Sequence, residues 1–133
     1  MIIGIGCDFA DDLRLADIIA RREDGFLQRV FTPAEQAYCA ARVNSAPHYA
    51  ARFAAKEALF KALGTGWAQG VSWLDVEVSN LPSGEPQLTL RGAAAEILAK
   101  KLPPQMAAKV HLSLSHAGDM SMAMVVIEQC APC

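Results

Sequence analysis

The segment RFAAKEALFKALGTG, residues 52 to 66, does most to limit how this chain can fold. Its first twelve residues are mainly Ala, Leu and Phe, and Gly64 and Gly66 follow as stop signals. Such a run predicts a long helix that ends at Leu63 and is buried on most sides. At 100° per residue, Ala55, Ala58 and Ala62 make one smooth side that lets another element pack very close. Phe53 and Phe60 lie one above the other elsewhere. Yet Arg52, Lys56, Glu57 and Lys61 share this helix, and long charged side chains are rarely buried without partners. Glu57 and Lys61, four apart, fall together beside the phenylalanines, while Arg52 and Lys56 form a separate row.

Two readings of those charges compete. Ion pairs along the helix would stabilise it by only ~0.3–0.5 kcal/mol each, which is little for a carboxylate set between aromatics. Alternatively, Glu57 helps hold a divalent cation and Lys61 meets phosphate oxygen. Asp8 can supply a second carboxylate. Residues 1 to 8 alternate as a strand, with Ile3, Ile5 and Cys7 on one face and Gly4, Gly6 and Asp8 on the other. That puts Asp8 at the strand's end on its glycine side, where a backbone or ligand can approach. Two carboxylates with phosphates and water are how magnesium is usually held.

The remaining pattern describes one α+β domain: an antiparallel sheet against the long central helix. Asp11 or Asp12 can cap a helix running to about Arg22, with Leu15, Ile18 and Ile19 inward. TPAE, from Thr32, is a capping box that opens a second helix, which Pro47 breaks or kinks near Ser45. WLDVEVS and PQLTLR alternate as strands around the turn LPSGEP. Residues 93–102 make a short helix ended by Pro103 and Pro104. KVHLSLSH and MSMAMVVIE close the chain as strands joined by AGD.

The 133 residues fit a single domain. The 53% hydrophobic content against 20% charged is high for a chain this small and points to apolar surface covered by another subunit. A net charge of -2 disfavours nucleic-acid binding through bulk positive charge. MIIGIGCDFADD has no basic region and meets acids early, so it is neither a signal peptide nor a membrane span, and a cytoplasmic protein is expected. Cys7, Cys39, Cys130 and Cys133 read as reduced thiols, with CAPC at 130–133 a loose tail after a domain of residues 1–129. Arg14 and Arg21, seven apart on the first helix, can grip an acidic partner helix. The plainer alternative is a solvated face with Asp17 paired to Arg21. His111 alternates with serines on a polar strand face and, taken alone, is a surface histidine. His116, before the turn, reads as structural.

Six blocks in order, spanning residues 2 to 127, carry a family resemblance: GIGCD, FTPAE, RFAAKEALFKALGTG, SWLDVEV, PSGEP and HLSLSH. The chain resembles the small acyl-carrier-protein synthases, the short class of 4′-phosphopantetheinyl transferases. The resemblance implies magnesium-dependent transfer of 4′-phosphopantetheine from coenzyme A to a serine of a carrier protein, releasing 3′,5′-ADP. It makes Asp8 and Glu57 the metal ligands, with the metal and Lys61 neutralising charge on the pyrophosphate and Glu57, or a metal-bound water it positions, placed to take the serine proton. It turns Arg52 and His111 toward the 3′-phosphate of coenzyme A and the SGEP turn, with Gly84 and Pro86, toward its adenine. Gly64, closing the helix block, goes with the same coenzyme site. It assigns the first helix, with Arg14 and Arg21, to the acyl carrier protein, and it implies a homotrimer with sites between subunits. Two departures stand out. Ala117 follows SH where many members have an acid, which excludes a catalytic acid there. DFADD replaces the usual DIVEI, adding negative charge near the carrier-binding surface. The rival readings are a non-catalytic coenzyme A-binding module and a structural trimer; neither accounts for Asp8, Glu57 and Lys61 together.

Overall fold

A computed structural model describes residues 1–21, 25–65 and 70–132. Arg22, Gly66 and Cys133, which enter the expectations above, lie outside the described residues. The elements in chain order are β1 (Ile2–Asp11), α1 (Asp12–Arg21), α2 (Phe26–Val30), α3 (Pro33–Ala40), α4 (Ala46–Leu63), β2 (Val76–Asn80), β3 (Pro86–Leu90), α5 (Gly92–Lys101), β4 (Ala107–Ala117) and β5 (Met120–Cys130). β1, β5 and β4 form an antiparallel sheet in that order, and β2 and β3 form a separate antiparallel ribbon.

The glycine side of β1 lies directly on the alanine side of α4. A methyl group on Gly6 would overlap the Ala58 carbonyl and come within 2.9 Å of the Ala62 nitrogen. A methyl on Gly4 would overlap the Ala62 carbonyl. Small residues on both elements therefore set a backbone-to-backbone approach that no larger pair would permit. Ala123, Val125 and Ile127 of β5 complete the floor under α4, and Val76 and Val78 of β2 join the same core. α4 ends where expected: Gly64 takes the left-handed conformation at φ 77°, and its N–H bonds the Lys61 carbonyl at 3.0 Å.

Lys56 answers part of the charge problem. Its side chain is 0% exposed, and its ammonium donates to Glu35 Oε1 at 2.7 Å, the Val30 carbonyl at 2.6 Å and the Trp73 carbonyl at 3.2 Å. Glu35 is equally occupied: it also accepts the N–H groups of Thr32 at 2.8 Å, closing the capping box, and of Val78 at 2.7 Å. One buried ion pair thus ties α3, α4 and β2 together.

Several boundaries differ from the sequence reading. The helix after TPAE stops at Ala40, and Pro47 lies in the first turn of α4, where its missing N–H costs nothing. Pro47 starts a helix here instead of breaking one. Trp73–Asp75 form a 3-10 turn, with Ser72 and Asp75 capping each other, so the strand begins only at Val76. β1 continues to Asp11, so Asp8 is an interior strand residue and not its end. β5 runs to Cys130, opposite Ala107. The five-residue α2 is too short to leave a helical period in the sequence.

Candidate active site

Asp8, three residues after Ile5 and on the face that Gly4 and Gly6 share, is turned toward α4, where Glu57 and Lys61 stand one turn apart. The Lys61 ammonium donates to Asp8 Oδ1 at 3.0 Å and to the Cys7 carbonyl at 3.1 Å. Lys61 therefore reaches across to the strand instead of pairing with Glu57 along the helix. Its bond to Asp8 is the main cause that raises the lysine's pKa above its ordinary value. Glu57 is held up at about 7, first by burial, then by a hydrogen bond with Asp8 and by Asp8's charge; Lys61 and Arg14 oppose the rise. Two carboxyls share one small space, and the cations near them only partly balance it.

That space opens into a cleft of ≈ 500 Å³ lined by Asp8, Glu57 and Arg14 and by the apolar Ile18, Phe26 and Phe53. Phe53 stacks on Trp73 at 4.9 Å between ring centroids, and Phe60 meets the same indole edge-on at 5.8 Å. Phe53 also lines the cleft with Glu57. Among the described residues, no three His, Cys, Asp or Glu side chains cluster. A lone carboxylate pair suits magnesium, which keeps several waters and takes phosphate oxygens, and is too poor in ligands for a structural zinc.

Arg52 opens a second site on another side of α4. It is 3% exposed, with Nη2 donating to Asn80 Oδ1 at 2.8 Å. Its guanidinium lies 4.0 Å from the Tyr38 ring centroid, and that of Arg42 lies at the same distance from the same ring. Nε of Arg52 is buried without a hydrogen-bond partner among the described residues. Asn80 in turn donates to the Gly84 carbonyl at 3.1 Å, fixing the turn before Pro86. Arg52, Gly84 and Pro86 line one groove of ≈ 470 Å³ with His48, Asn80 and His116. Burial and then Arg52, Arg42 and His116 hold His48 below its ordinary pKa. Among the described residues the Arg52 guanidinium bonds the Asn80 amide and no carboxylate, which leaves its positive charge uncompensated beside the groove.

Not every expected residue converges. His111 projects from the face of β4 opposite to Leu112 and Leu114, and its Nε2 lies 3.0 Å from Glu128 Oε1. That bond pulls the Glu128 carboxyl below its ordinary pKa. Within one chain His111 and Arg52 are thus on opposite faces of the sheet and do not meet. Gly64 caps α4 beside Lys101, away from both cavities. Arg14 lines the acid cleft, whereas Arg21 is exposed and bonds Asp17 Oδ1 at 3.1 Å. The extra acids of DFADD divide: exposed Asp11 caps α1 by accepting the N–H groups of Leu13 and Arg14 at 2.9 and 3.1 Å, and buried Asp12 accepts the Ser121 hydroxyl. Sequence reasoning did not find Tyr38, Arg42, His48 or Asn80. Only His48, one turn before Arg52 on α4, carried a signal there.

Three comparisons bear on this geometry. A model of the 4′-phosphopantetheinyl transferase superfamily matches residues 4–114. The chain is 52% identical over 128 residues to a holo-[acyl-carrier-protein] synthase of Methylobacterium sp. (strain 4-46), covering 96% of this chain and 95% of that one. It superposes on the crystal structure of holo-[acyl-carrier-protein] synthase from Neisseria meningitidis with a TM-score of 0.82 at 31% identity, over 96% of this chain and 99% of that one. A holo-(acyl-carrier-protein) synthase from Bacillus anthracis in complex with CoA (3′,5′-ADP) superposes with a TM-score of 0.74 at 32% identity, over 98% and 99% of the two chains.

Proposed function

The chain belongs to the 4′-phosphopantetheinyl transferase superfamily, and from that premise we propose that it moves 4′-phosphopantetheine from coenzyme A to a serine hydroxyl of an apo acyl carrier protein, releasing 3′,5′-ADP. The observation that carries this is the pair Asp8 and Glu57, brought together by glycine-on-alanine packing with Lys61 bonded to one of them. Asp8 and Glu57 would hold magnesium, which supplies charge neutralisation on the pyrophosphate. Lys61, about half exposed, is free to turn its ammonium to a phosphate oxygen. Glu57, or a water it positions, would receive the proton of the attacking serine.

The 3′-phosphate and adenine are assigned to the groove of Arg52, Gly84 and Pro86, supported by the Arg52 guanidinium that lines it and bonds no carboxylate among the described residues. Arg52 and Glu57 sit about 140° apart around a helix roughly 10 Å across. The 3′-phosphate and the pyrophosphate, however, hang from one ribose. A site completed between two copies would bring the two half-sites to one coenzyme. His111, on the outer sheet face, would then act from a neighbouring copy. Ile5, Phe9 and Met124, at 60%, 59% and 42% exposure on that same face, are the apolar surface such contacts would cover. A homotrimer, a transferase domain of residues 1–129 with the short tail 130–133, docking of the carrier on α1 and a cytoplasmic location complete the proposal. No helix among the described residues is long and apolar enough to cross a membrane.

Incubation with coenzyme A and a panel of apo carrier proteins, with and without magnesium, tests this by the mass of each carrier. At least one carrier should gain one phosphopantetheine, and only when magnesium is present. Coenzyme A binding with every carrier left unmodified would favour the binding-module reading.

A further inference from the structure

The chain supplies its own cation to Asp8. The Lys61 ammonium donates to Asp8 Oδ1 at 3.0 Å and, from the same position, to the Cys7 carbonyl at 3.1 Å. The two partners are unequal. The Asp8 side chain is 17% exposed, and its backbone is fixed in β1 opposite Ala123 of β5. The Lys61 side chain is 54% exposed, a flexible four-carbon stem in the last turn of α4. The carboxylate is held where it is, and the ammonium can swing away.

Charge decides what this contact does to a metal ligand. An ammonium and a divalent cation on one carboxylate repel each other, more strongly where protein replaces part of the water around them. Metal ligation by Asp8 therefore competes with Lys61. The other charged groups that line this space are Glu57 one turn back on α4, Asp11 at the end of β1 and Arg14 of α1. Of the two cations, Lys61 is the one bonded to Asp8, while Arg14 is a wall of the cleft. A pyrophosphate entering the cleft brings acceptor oxygens that can take the ammonium in exchange for Asp8.

We propose that Lys61 is a placeholder cation: it occupies Asp8 until a pyrophosphate oxygen accepts its ammonium, and by yielding Asp8 only then it makes metal and coenzyme bind as a pair. The inference rests on the reading above that Asp8 and Glu57 hold magnesium against the pyrophosphate of coenzyme A. Lys61 then weakens metal binding to the chain alone and stops doing so once coenzyme is bound. The coupling is reciprocal, so metal strengthens coenzyme binding by the same factor.

Manganese(II) serves as the probe, since it takes oxygen ligands like those of magnesium and the free ion can be counted by electron paramagnetic resonance. Lys61→Met removes the ammonium and keeps a long side chain, with Lys61→Gln as a second form. Arg14→Gln removes an equal charge from the cleft and leaves the Lys61–Asp8 bond in place. Without coenzyme, both Lys61 variants should bind manganese about five-fold more tightly than wild type, the upper range for a part-exposed ion pair. Arg14→Gln should change that affinity by less than about two-fold, through screened charge alone. Saturating coenzyme A, corrected for manganese that it holds in the absence of protein, should tighten manganese on the wild type at least about ten-fold. In the Lys61 variants that factor should shrink about five-fold. Wild-type manganese affinity in both Lys61 variants, a gain in Arg14→Gln as large as theirs, or an undiminished effect of coenzyme A would overturn the proposal. A wild-type chain that binds no manganese, with or without coenzyme A, would instead overturn the metal-site reading, and this inference with it.

Discussion

Glu57 is where the charge of the site is most finely balanced. The folded chain keeps it protonated to about pH 7, whereas the unfolded chain releases that proton near its ordinary value of 4.5. Between those values the folded state binds more protons, so its stability falls as pH rises from about 4.5 to 7 and then levels. Glu57→Gln should abolish transfer yet flatten this slope, leaving the variant the more stable chain at pH 8 without divalent cation. Melting curves that stay parallel from pH 5 to 8 would show that Glu57 is not strained by Asp8. This acid and Lys61 were legible in the sequence because four-residue spacing on one helix settles their proximity. Asp8 was legible through the alternation with Gly4 and Gly6. The Arg52 groove was not, since Tyr38, Asn80 and His116 come from α3, β2 and β4, and no local period links them.

At the scale of elements, the site depends on how closely β1 lies on α4. Gly6→Ala would push a methyl into the Ala58 carbonyl and should cost about 3 kcal/mol or more in urea unfolding. An unchanged midpoint would mean that the two backbones are not in contact. The Glu35–Lys56 pair fixes the other flank of the helix. Glu35→Ala strands a buried ammonium and should cost about 3–5 kcal/mol, while transfer per folded molecule persists because neither residue touches either cavity. Caps and stops written in local chemistry, such as the TPAE box and Gly64, fell where expected. Boundaries set by tertiary contacts did not: the strand at WLD gave way to a turn whose Trp73 carbonyl Lys56 holds. Helix α3 also ended early, before Pro47 could act on it.

For the whole molecule, the proposed homotrimer would bring the two half-sites around α4 together. Ile5→Lys, on the apolar outer face, should give monomers by light scattering and lose transfer at the same dilution. A monomeric wild-type chain with full activity would remove the case for a shared site. Docking of the carrier divides more finely than two matched arginines would suggest. Arg14 lines the acid cleft, so its removal should disturb both substrates, whereas Arg21, exposed and away from both cavities, should act on the carrier alone. Arg21→Glu should raise the Michaelis constant for the carrier severalfold, mostly at low salt because such charges are screened over roughly 8 Å at physiological ionic strength, and leave that for coenzyme A unchanged. A shift confined to coenzyme A would place Arg21 on the wrong ligand.

The central claim is that Asp8 and Glu57 form one magnesium site that grips the pyrophosphate of coenzyme A. It is tested most directly by calorimetric titration of coenzyme A in magnesium and in chelator, on the wild-type chain and on Asp8→Asn and Glu57→Gln. The account predicts that magnesium tightens coenzyme A binding at least about ten-fold in the wild type and has no effect in either variant. Equal affinity in magnesium and chelator for the wild-type chain, or a magnesium effect that survives both substitutions, would contradict it.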